Sequence, residues 1–486
     1  MSANKRPNFL FIVADQWRGD CIGCAEPHHP VMTPHVNQLA AEGTRFVNAF
    51  ADCPVCMPQR ITHLTGQVAG RFGKTGNWYG RVDLDVSRTL PSRLSREAGY
   101  QTQSVGKMHF FPSRARFGFD NVVLHPNDYA MWLEEQGLGG MYRGHGLGGN
   151  EVYPAVSAVP ERCTHTHWVV DEAIRFLYRR DPECPFLLYV VFEAPHSPFD
   201  PPEPYDRMYD RISVPPPVRG EWLDGDAAPP EFRARPLMCK YEDLSDEMIA
   251  ESRRRYYGQV SHIDYQLGRL LGELATRGLY DDTVIVFTAD HGEHLGDHGI
   301  WGKTTFLRGS GDVPLIVRTP SWMPGGPNAR VDAAALTADI CPTFLEMAGL
   351  PAEADTDGVS MADSLTSRPG AGERIVCGEC GDKAFATDSV HKFCYYAGGG
   401  IEQLFDVRAD PYDLRDLSGD AGRAEAMETL RAALIEHLAR LDRPLVSEGR
   451  LLSKDIQIDE DALRGRNPAA WRGPMRYGQG YYGWDG

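Results

Sequence analysis

The apolar positions of this chain fall into two kinds of short run, and the two kinds alternate. Continuous apolar runs of strand length occupy 8–14 (NFLFIVA), 44–51, 101–105, 186–193 (FLLYVVFE), 283–288 (TVIVFT) and 313–319 (VPLIVRT). A run with no polar alternation predicts a strand buried on both faces, in a sheet covered by helices. Between these runs lie segments with apolar residues at helical spacing: 34–43, 90–99, 169–179, 247–277 and 332–348. Pro34 opens the first of them, and Gly43, Gly99, Gly278 and Gly349 close four, as helix starts and stops require. Strands that alternate with helices pair in parallel, so the pattern predicts an α/β fold with a large, mostly parallel sheet flanked by helices.

Two regions break the alternation. Residues 111–165 are rich in Gly, His and aromatics and lack periodicity, which predicts an insertion over a substrate cleft. Residues 198–236 are Pro-rich and predict an extended loop. After Thr366 the composition changes to SRPGAGE, a linker pattern. Beyond it, short runs at 374–378, 383–387 and 391–396 predict a smaller antiparallel sheet, and 422–441 a helix. The expected organisation is a catalytic domain over 1–368, a small C-terminal α+β unit over 369–442 and an irregular tail over 443–486. That tail holds Trp471, Tyr477, Tyr481, Tyr482 and Trp484. Such aromatics are enriched at interfaces, so the tail is expected either to pack on a neighbouring subunit of a homo-oligomer or to fold back on its own.

Charge narrows the partners. Lys plus Arg number 50 against 67 Asp plus Glu, a net charge of −17, which argues against nucleic acid. No apolar run reaches the roughly 18 residues of a membrane span, and 8–14 is too short for a signal-peptide core before Asp15 interrupts it. The expectation is a cytoplasmic protein with no membrane partner. Eleven Cys, an odd number, then predict reduced thiols. The pairs Cys21/Cys24 and Cys53/Cys56 are spaced as a four-Cys zinc site would be, a competing reading that would consume Cys56; Cys377/Cys380 is a third such pair.

Candidate chemistry gathers at strand ends. In Cys56-Met57-Pro58-Gln59-Arg60, Pro58 suits the first turn of a helix over 58–65 that stops at Gly66. Cys56 then sits at a helix N-terminus, where an anion is favoured, and Arg60 lies one turn on, on the same face. Asp15 follows one buried strand and Asp290-His291 another. Ligands gather at that edge of an α/β sheet, and carboxylates with an imidazole hold divalent cations. Lys107 and His109, two apart on an extended segment, point the same way. Taken singly, each has a plainer reading as a core cysteine, a turn aspartate, a surface lysine or a structural histidine.

Together they carry a resemblance. Cys56-x-Pro58-x-Arg60 followed by Leu64-Thr65-Gly66, with Phe287-Thr288-Ala289-Asp290-His291-Gly292-Glu293 far along the chain, resembles the formylglycine-dependent sulfatases of the alkaline phosphatase superfamily. The resemblance covers most of 8–420, including Gln403-Leu404-Phe405-Asp406 and Asp410-Pro411. It implies an alkaline-phosphatase-like fold and a hydrolase that cleaves sulfate monoesters, arylsulfatase-like. It implies that a formylglycine-generating maturation enzyme oxidises Cys56, and that the hydrated aldehyde is the nucleophile. It implies one divalent metal held by Asp15, Asp290, His291 and residue 56, with Gln16 a possible further ligand. Arg60, Lys107 and Lys303 would surround the sulfate. Asp290 would promote deprotonation of the nucleophile, His109 would take the later proton, and His196 or Lys303 would protonate the leaving oxygen. Asn77 would contact substrate, and Asp297-His298 would be structural. Gln16, Gln59 and His291 depart from the commonest pattern. Asp-Gln with Asp-His is similar to choline sulfatases and phosphonate monoester hydrolases, which favours Mn2+ over Ca2+ and gives an alternative activity on phosphonate monoesters or phosphodiesters.

Overall fold

The computed structural model describes residues 5–26, 28–78, 80–225, 228–353, 355–366 and 374–465. Among them, eight strands form one mixed sheet: β1 (Asn8–Asp15), β2 (Thr44–Phe50), β3 (Gln101–Gly106), β4 (Asn121–Leu124), β5 (Phe186–Pro195), β6 (Thr283–Ala289), β7 (Leu315–Arg318) and β8 (Ala329–Leu336). Their order is β4-β3-β5-β1-β6-β7-β2-β8. The strand β1 is central, parallel to β5 and β6, and Phe9–Ala14 are wholly buried. This is the outcome an unbroken apolar run predicts. Its register with β5 shifts between Ala14 and Asp15, which pairs with Pro195, and its ladder with β6 ends at Ala14.

Seven helices of eight or more residues precede β6: α1 (Pro34–Glu42), α2 (Cys56–Thr65), α3 (Leu90–Ala98), α4 (Asn127–Glu135), α5 (His165–Arg179), α6 (Pro230–Met238) and α7 (Asp246–Thr276). In α7, Tyr256, Val260, Ile263, Leu267, Leu270 and Leu274 form a fully buried stripe. Each such side chain contributes roughly 1.5–3 kcal/mol, and the stripe fixes the helix against the sheet.

Three expectations need correction. The run at 313–319 forms a strand, but β7 is antiparallel to β6 and to β2. Its connection from β6 carries only short turns, with no crossover helix to return the chain to the far edge, so the strand must run back. The predicted helix over 332–348 is a strand followed by a shorter helix. Residues Ala329–Leu336 pair with β2, and Ile340–Met347 is helical. The Ala-rich sequence has helix propensity, but pairing with an open sheet edge overrides it. Finally, 111–165 and 198–236 contain β4, α4 and α6, too short to show periodicity.

Strands β9 (Val376–Cys380), β10 (Lys383–Thr387), β11 (His391–Tyr396) and β12 (Ile401–Asp406) make an antiparallel meander, of which β12 was not foreseen. One face packs on the helix Ala424–Arg440 through Leu430, Leu434 and Leu438. The other face turns to the large sheet, where Phe385 stacks on Phe306 at 4.4 Å and meets Phe50 at 5.7 Å. Contact is close: a Cβ on Gly378 would lie 2.2 Å from the Asp52 carbonyl oxygen. The first part of the expected tail folds back on this small sheet, with Tyr395 OH donating to the Leu452 carbonyl at 2.7 Å. Trp471, Tyr477, Tyr481, Tyr482 and Trp484 lie outside the described residues. Among those described, no helix is long and apolar enough to cross a membrane.

Candidate active site

The site forms where β1 and β6 end, beside the first turn of α2. That helix begins at Cys56 itself, two residues before the expected start, and is buried throughout. Its early N–H groups lack intrahelical partners, and Asn77 Oδ1 accepts from Met57 N at 3.0 Å. Gln59 Oε1 accepts from Cys53 N at 3.2 Å, and its amide donates to Thr337 Oγ1. The unusual glutamine thus ties the loop before Cys56 to the turn after β8.

Arg60 stands at the centre. Its Nη2 donates to Asp15 Oδ2 at 3.0 Å and to Asp290 Oδ2 at 2.8 Å, and its Nη1 to the Lys107 carbonyl. Lys107 Nζ lies 2.6 Å from Asp15 Oδ2 and 3.8 Å from Glu193 Oε1. It is delivered by Gly106 at φ +103, where a Cβ would fall 1.9 Å from the Val191 carbonyl oxygen, so only glycine lets the chain turn there. Burial pushes Asp15 up, but Lys107, His196, Arg60 and Lys303 hold it well below the usual carboxylate range. Burial likewise opposes the charge on Lys107, yet Asp15 and Glu193 keep it an ammonium.

Cys56 Sγ lies 3.2 Å from His291 Nε2, 3.7 Å from Asp15 Oδ1 and 3.5 Å from Lys303 Nζ. His109 also reaches the Cys56 side chain, and burial lowers its pKa. Lys303 Nζ donates to Gln16 Oε1 at 2.6 Å and meets His196 Nε2 at 2.7 Å. The other nitrogen of His196, Nδ1, faces the Ser197 carbonyl at 2.8 Å. A carbonyl only accepts, so Nδ1 carries the proton and Nε2 accepts from Lys303. Burial, Lys303 and Lys107 all keep this imidazole neutral.

The same logic tests the site for a metal. His291 Nδ1 faces the Gly292 carbonyl at 2.9 Å, which leaves an Nε2 lone pair 3.5 Å from Asp15 Oδ1 and 3.6 Å from Asp290 Oδ1. Asp290 Oδ1 also accepts from Gln16 N at 3.1 Å and His291 N at 3.0 Å, which orients it toward the other two. Two carboxylate oxygens converging with an imidazole lone pair in a buried pocket suit a cation. The ligand-type atoms of Asp15, Cys56, Asp290 and His291 all fall within 4.8 Å of one another. These residues fit a divalent metal. Gln16 gives its oxygen to Lys303, and its amide donates to Glu293.

The structure thus brings together Asp15, Gln16, Cys56, Arg60, Lys107, His109, His196, Asp290, His291 and Lys303, with Asn77 on the wall of the adjoining cavity. It does not assemble the four-Cys centre: among the described residues, the groups able to hold a metal contain one cysteine, Cys56. Glu193 was missed. It bridges Lys107, His125 at 3.1 Å and Arg143 at 3.3 Å. Its position at the end of an apolar run was the only signal, the same one that marks Asp15. His125, His165 and Glu193 are a second group of ligand type, but Arg143 and Lys107 already supply its positive charge.

A profile of the sulfatase family matches residues 7–350. The chain belongs to the sulfatase family. This sulfatase is 32% identical over 482 residues to the arylsulfatase of Clostridium perfringens (strain 13), spanning 92% of this chain and 97% of that one. It is 28% identical over 461 residues to the choline-sulfatase of Rhizobium meliloti (strain 1021), with 88% and 86% covered. Among solved structures, the phosphonate monoester hydrolase of Agrobacterium radiobacter superposes with a TM-score of 0.76 at 29% identity, over 90% of this chain and 95% of that one. This sulfatase therefore shares the alkaline-phosphatase-like fold expected of it.

Proposed function

We propose that this sulfatase hydrolyses sulfate monoesters of the aryl type at a centre built on Cys56, Asp15, Asp290 and His291. The observation that carries the reading is the ring of facing acceptors around the Cys56 thiol, enclosed by Arg60, Lys107 and Lys303. The thiol stands where the formylglycine side chain would project. When present, the metal withdraws charge from the sulfate oxygens, and the formylglycine hydrate supplies the attacking oxygen. Asp15, Asp290 and His291 would hold the ion; the nitrogen ligand among two carboxylates fits Mn2+ better than Ca2+. The cations Arg60, Lys107 and Lys303 stabilise the charge that develops on the transferred group. Asp290 is placed to draw a proton from the attacking group, and His109, kept neutral and beside residue 56, to take the second one. Lys303 holds the proton shared with His196 Nε2, so Lys303 is the general acid and His196 its relay.

The reading includes a formylglycine-generating maturation enzyme as partner, a catalytic unit over 1–368 with a small unit over 369–442, and a homo-oligomer joined through the aromatic tail. A cytoplasmic location is supported by the eleven cysteines, all of them unpaired. Gln16 and His291, with the Agrobacterium radiobacter likeness, favour phosphonate monoesters or phosphodiesters as a second activity. The test is kcat/KM of matured, metal-loaded enzyme on matched p-nitrophenyl sulfate and phenylphosphonate esters. Sulfate is expected to lead; a clear phosphonate preference reverses the order.

A further inference from the structure

Beside Lys303 and Gln16 opens a cavity of about 410 Å³. Its walls come from both parts of the chain: Val55, Gly76 and Val152 from the large part, with Tyr241, and Cys380, Gly381 and Lys383 from the turn between β9 and β10. The two parts touch at its rim, where Gly381 N donates to the Thr75 carbonyl at 3.1 Å. Lys303 lies in the wall, so a leaving group protonated there projects into this space.

The charges on the walls are already answered. Lys383 is held by Glu231 at 2.9 Å and Asp382 at 3.0 Å. Arg235 pairs with Glu231 at 3.1 Å and donates to the Lys303 carbonyl at 2.7 Å. Glu293 accepts from Gln16, from Leu295 N at 2.9 Å and from Gly302 N at 2.5 Å. A quaternary ammonium would find no open carboxylate here, and a second acid no open guanidinium. The rest of the lining is uncharged, with Val55, Val152 and Tyr241 beside Asn77, Asn150 and Ser197. A cavity of ~150 Å³ holds one benzene, so this one has room for two to three rings.

We propose that this cavity is the leaving-group chamber, and that it selects a neutral alcohol bearing two to three rings, with the β9–β10 turn of the small sheet as its outer wall. The proposal rests on the sulfate-ester reading only for the group transferred. Gly76 supplies the probe: it lines the cavity, and a Cβ there meets nothing within 4 Å, so a larger side chain can start from this wall without a clash at its first carbon.

The experiment compares 4-methylumbelliferyl sulfate (two fused rings), p-nitrophenyl sulfate (one ring), choline sulfate and a sulfated uronic acid on matured, metal-loaded enzyme. The fused-ring ester should lead p-nitrophenyl sulfate by about tenfold in kcat/KM, with the charged alcohols far behind. In Gly76→Leu the ratio of fused-ring to single-ring ester should fall toward one. Product inhibition by the free alcohols, which needs no variant, should follow the same ranking. Preference for choline sulfate or the uronate, a wild-type ratio near one, or a ratio indifferent to Gly76→Leu would overturn the proposal. If sulfate esters fail while phosphonates turn over, the sulfate reading falls, and the same two leaving groups as phosphonate esters still read the chamber.

Discussion

Two buried charge clusters lie side by side beyond the end of β1, and they are built differently. In one, Arg18 donates to Asp20 at 2.7 and 2.8 Å, to Asp297 at 2.8 Å and to the carbonyls of Glu293 and His294 at 2.9 and 2.8 Å. Arg253 donates to the other oxygen of Asp297 at 3.3 Å. All three guanidinium nitrogens of Arg18 face acceptors, and Asp297 gives both carboxylate oxygens to arginines. In the other, the side-chain cations Arg60 and Lys107 reach one oxygen of Asp15, and Arg60 one of Asp290, while Asp15 Oδ1, Asp290 Oδ1 (held by the Gln16 and His291 N–H groups) and His291 Nε2 face one another around Cys56. Tyr256 joins the two, accepting from Arg18 N at 2.9 Å and donating to the Gln16 carbonyl at 2.7 Å. The closed cluster stabilises the fold around the site. The open one is left unbalanced, which a bound cation and substrate anion can correct. Buried charge alone therefore does not mark a functional centre; ligand-type atoms that converge on one point do.

This contrast can be broken by exchanging what is lost. The largest effect is expected for Asp290→Ala. It should lose bound metal and reduce kcat/KM by about a thousandfold or more, with chelation of the parent enzyme giving the same loss. Metal content and turnover measured together check this, and full activity after chelation contradicts it. Next comes Lys303→Ala, expected to cost about 10²–10⁴-fold in kcat, more for esters of poorly acidic alcohols than for p-nitrophenol. A loss that is uniform across leaving groups would take the proton-donor role from Lys303.

In the closed cluster the loss should appear as stability instead. Arg18→Leu leaves Asp20 and Asp297 without their principal partner, and breaking a buried pair in this way costs about 3–5 kcal/mol. Urea denaturation should show it, and folded enzyme should retain its metal. A variant of native stability that loses metal would merge the two clusters into one functional unit. The smallest effect belongs to Arg219–Asp224, a pair 2.6 Å apart but 60% and 75% exposed. Arg219→Ala should change stability by less than about 1 kcal/mol.

The open cluster was more legible in the sequence than the closed one, and for a physical reason. Asp15, Cys56 and Asp290 each sit at the end of an apolar run or the start of a helix, where the chain emerges at the sheet edge. Each is ordinary there when taken singly, but their combined motifs and spacing fit a known family. Arg18, Asp20 and Asp297 are also near strand ends, but nothing in their local sequence distinguishes buried pairing from exposure. Glu193 stayed hidden for the same reason. Elements failed where pairing partners, not local pattern, decide. Residues 332–336 are helix-prone by composition and become a strand because β2 offers an edge, and β12 is too mixed in polarity to stand out. The leaving-group chamber could not be read at all, since it is made by Gly76 and the β9–β10 turn, some three hundred positions apart in sequence.

The central claim is that Cys56 occupies the nucleophile position of a sulfatase centre. Peptide mass spectrometry across residue 56, on full-length protein produced together with a formylglycine-generating enzyme, tests it most directly. The account predicts the mass loss of thiol-to-aldehyde conversion at Cys56 and at no other cysteine, with reactivity toward a hydrazide probe. An unmodified Cys56 thiol in protein that hydrolyses aryl sulfates at full rate would contradict it.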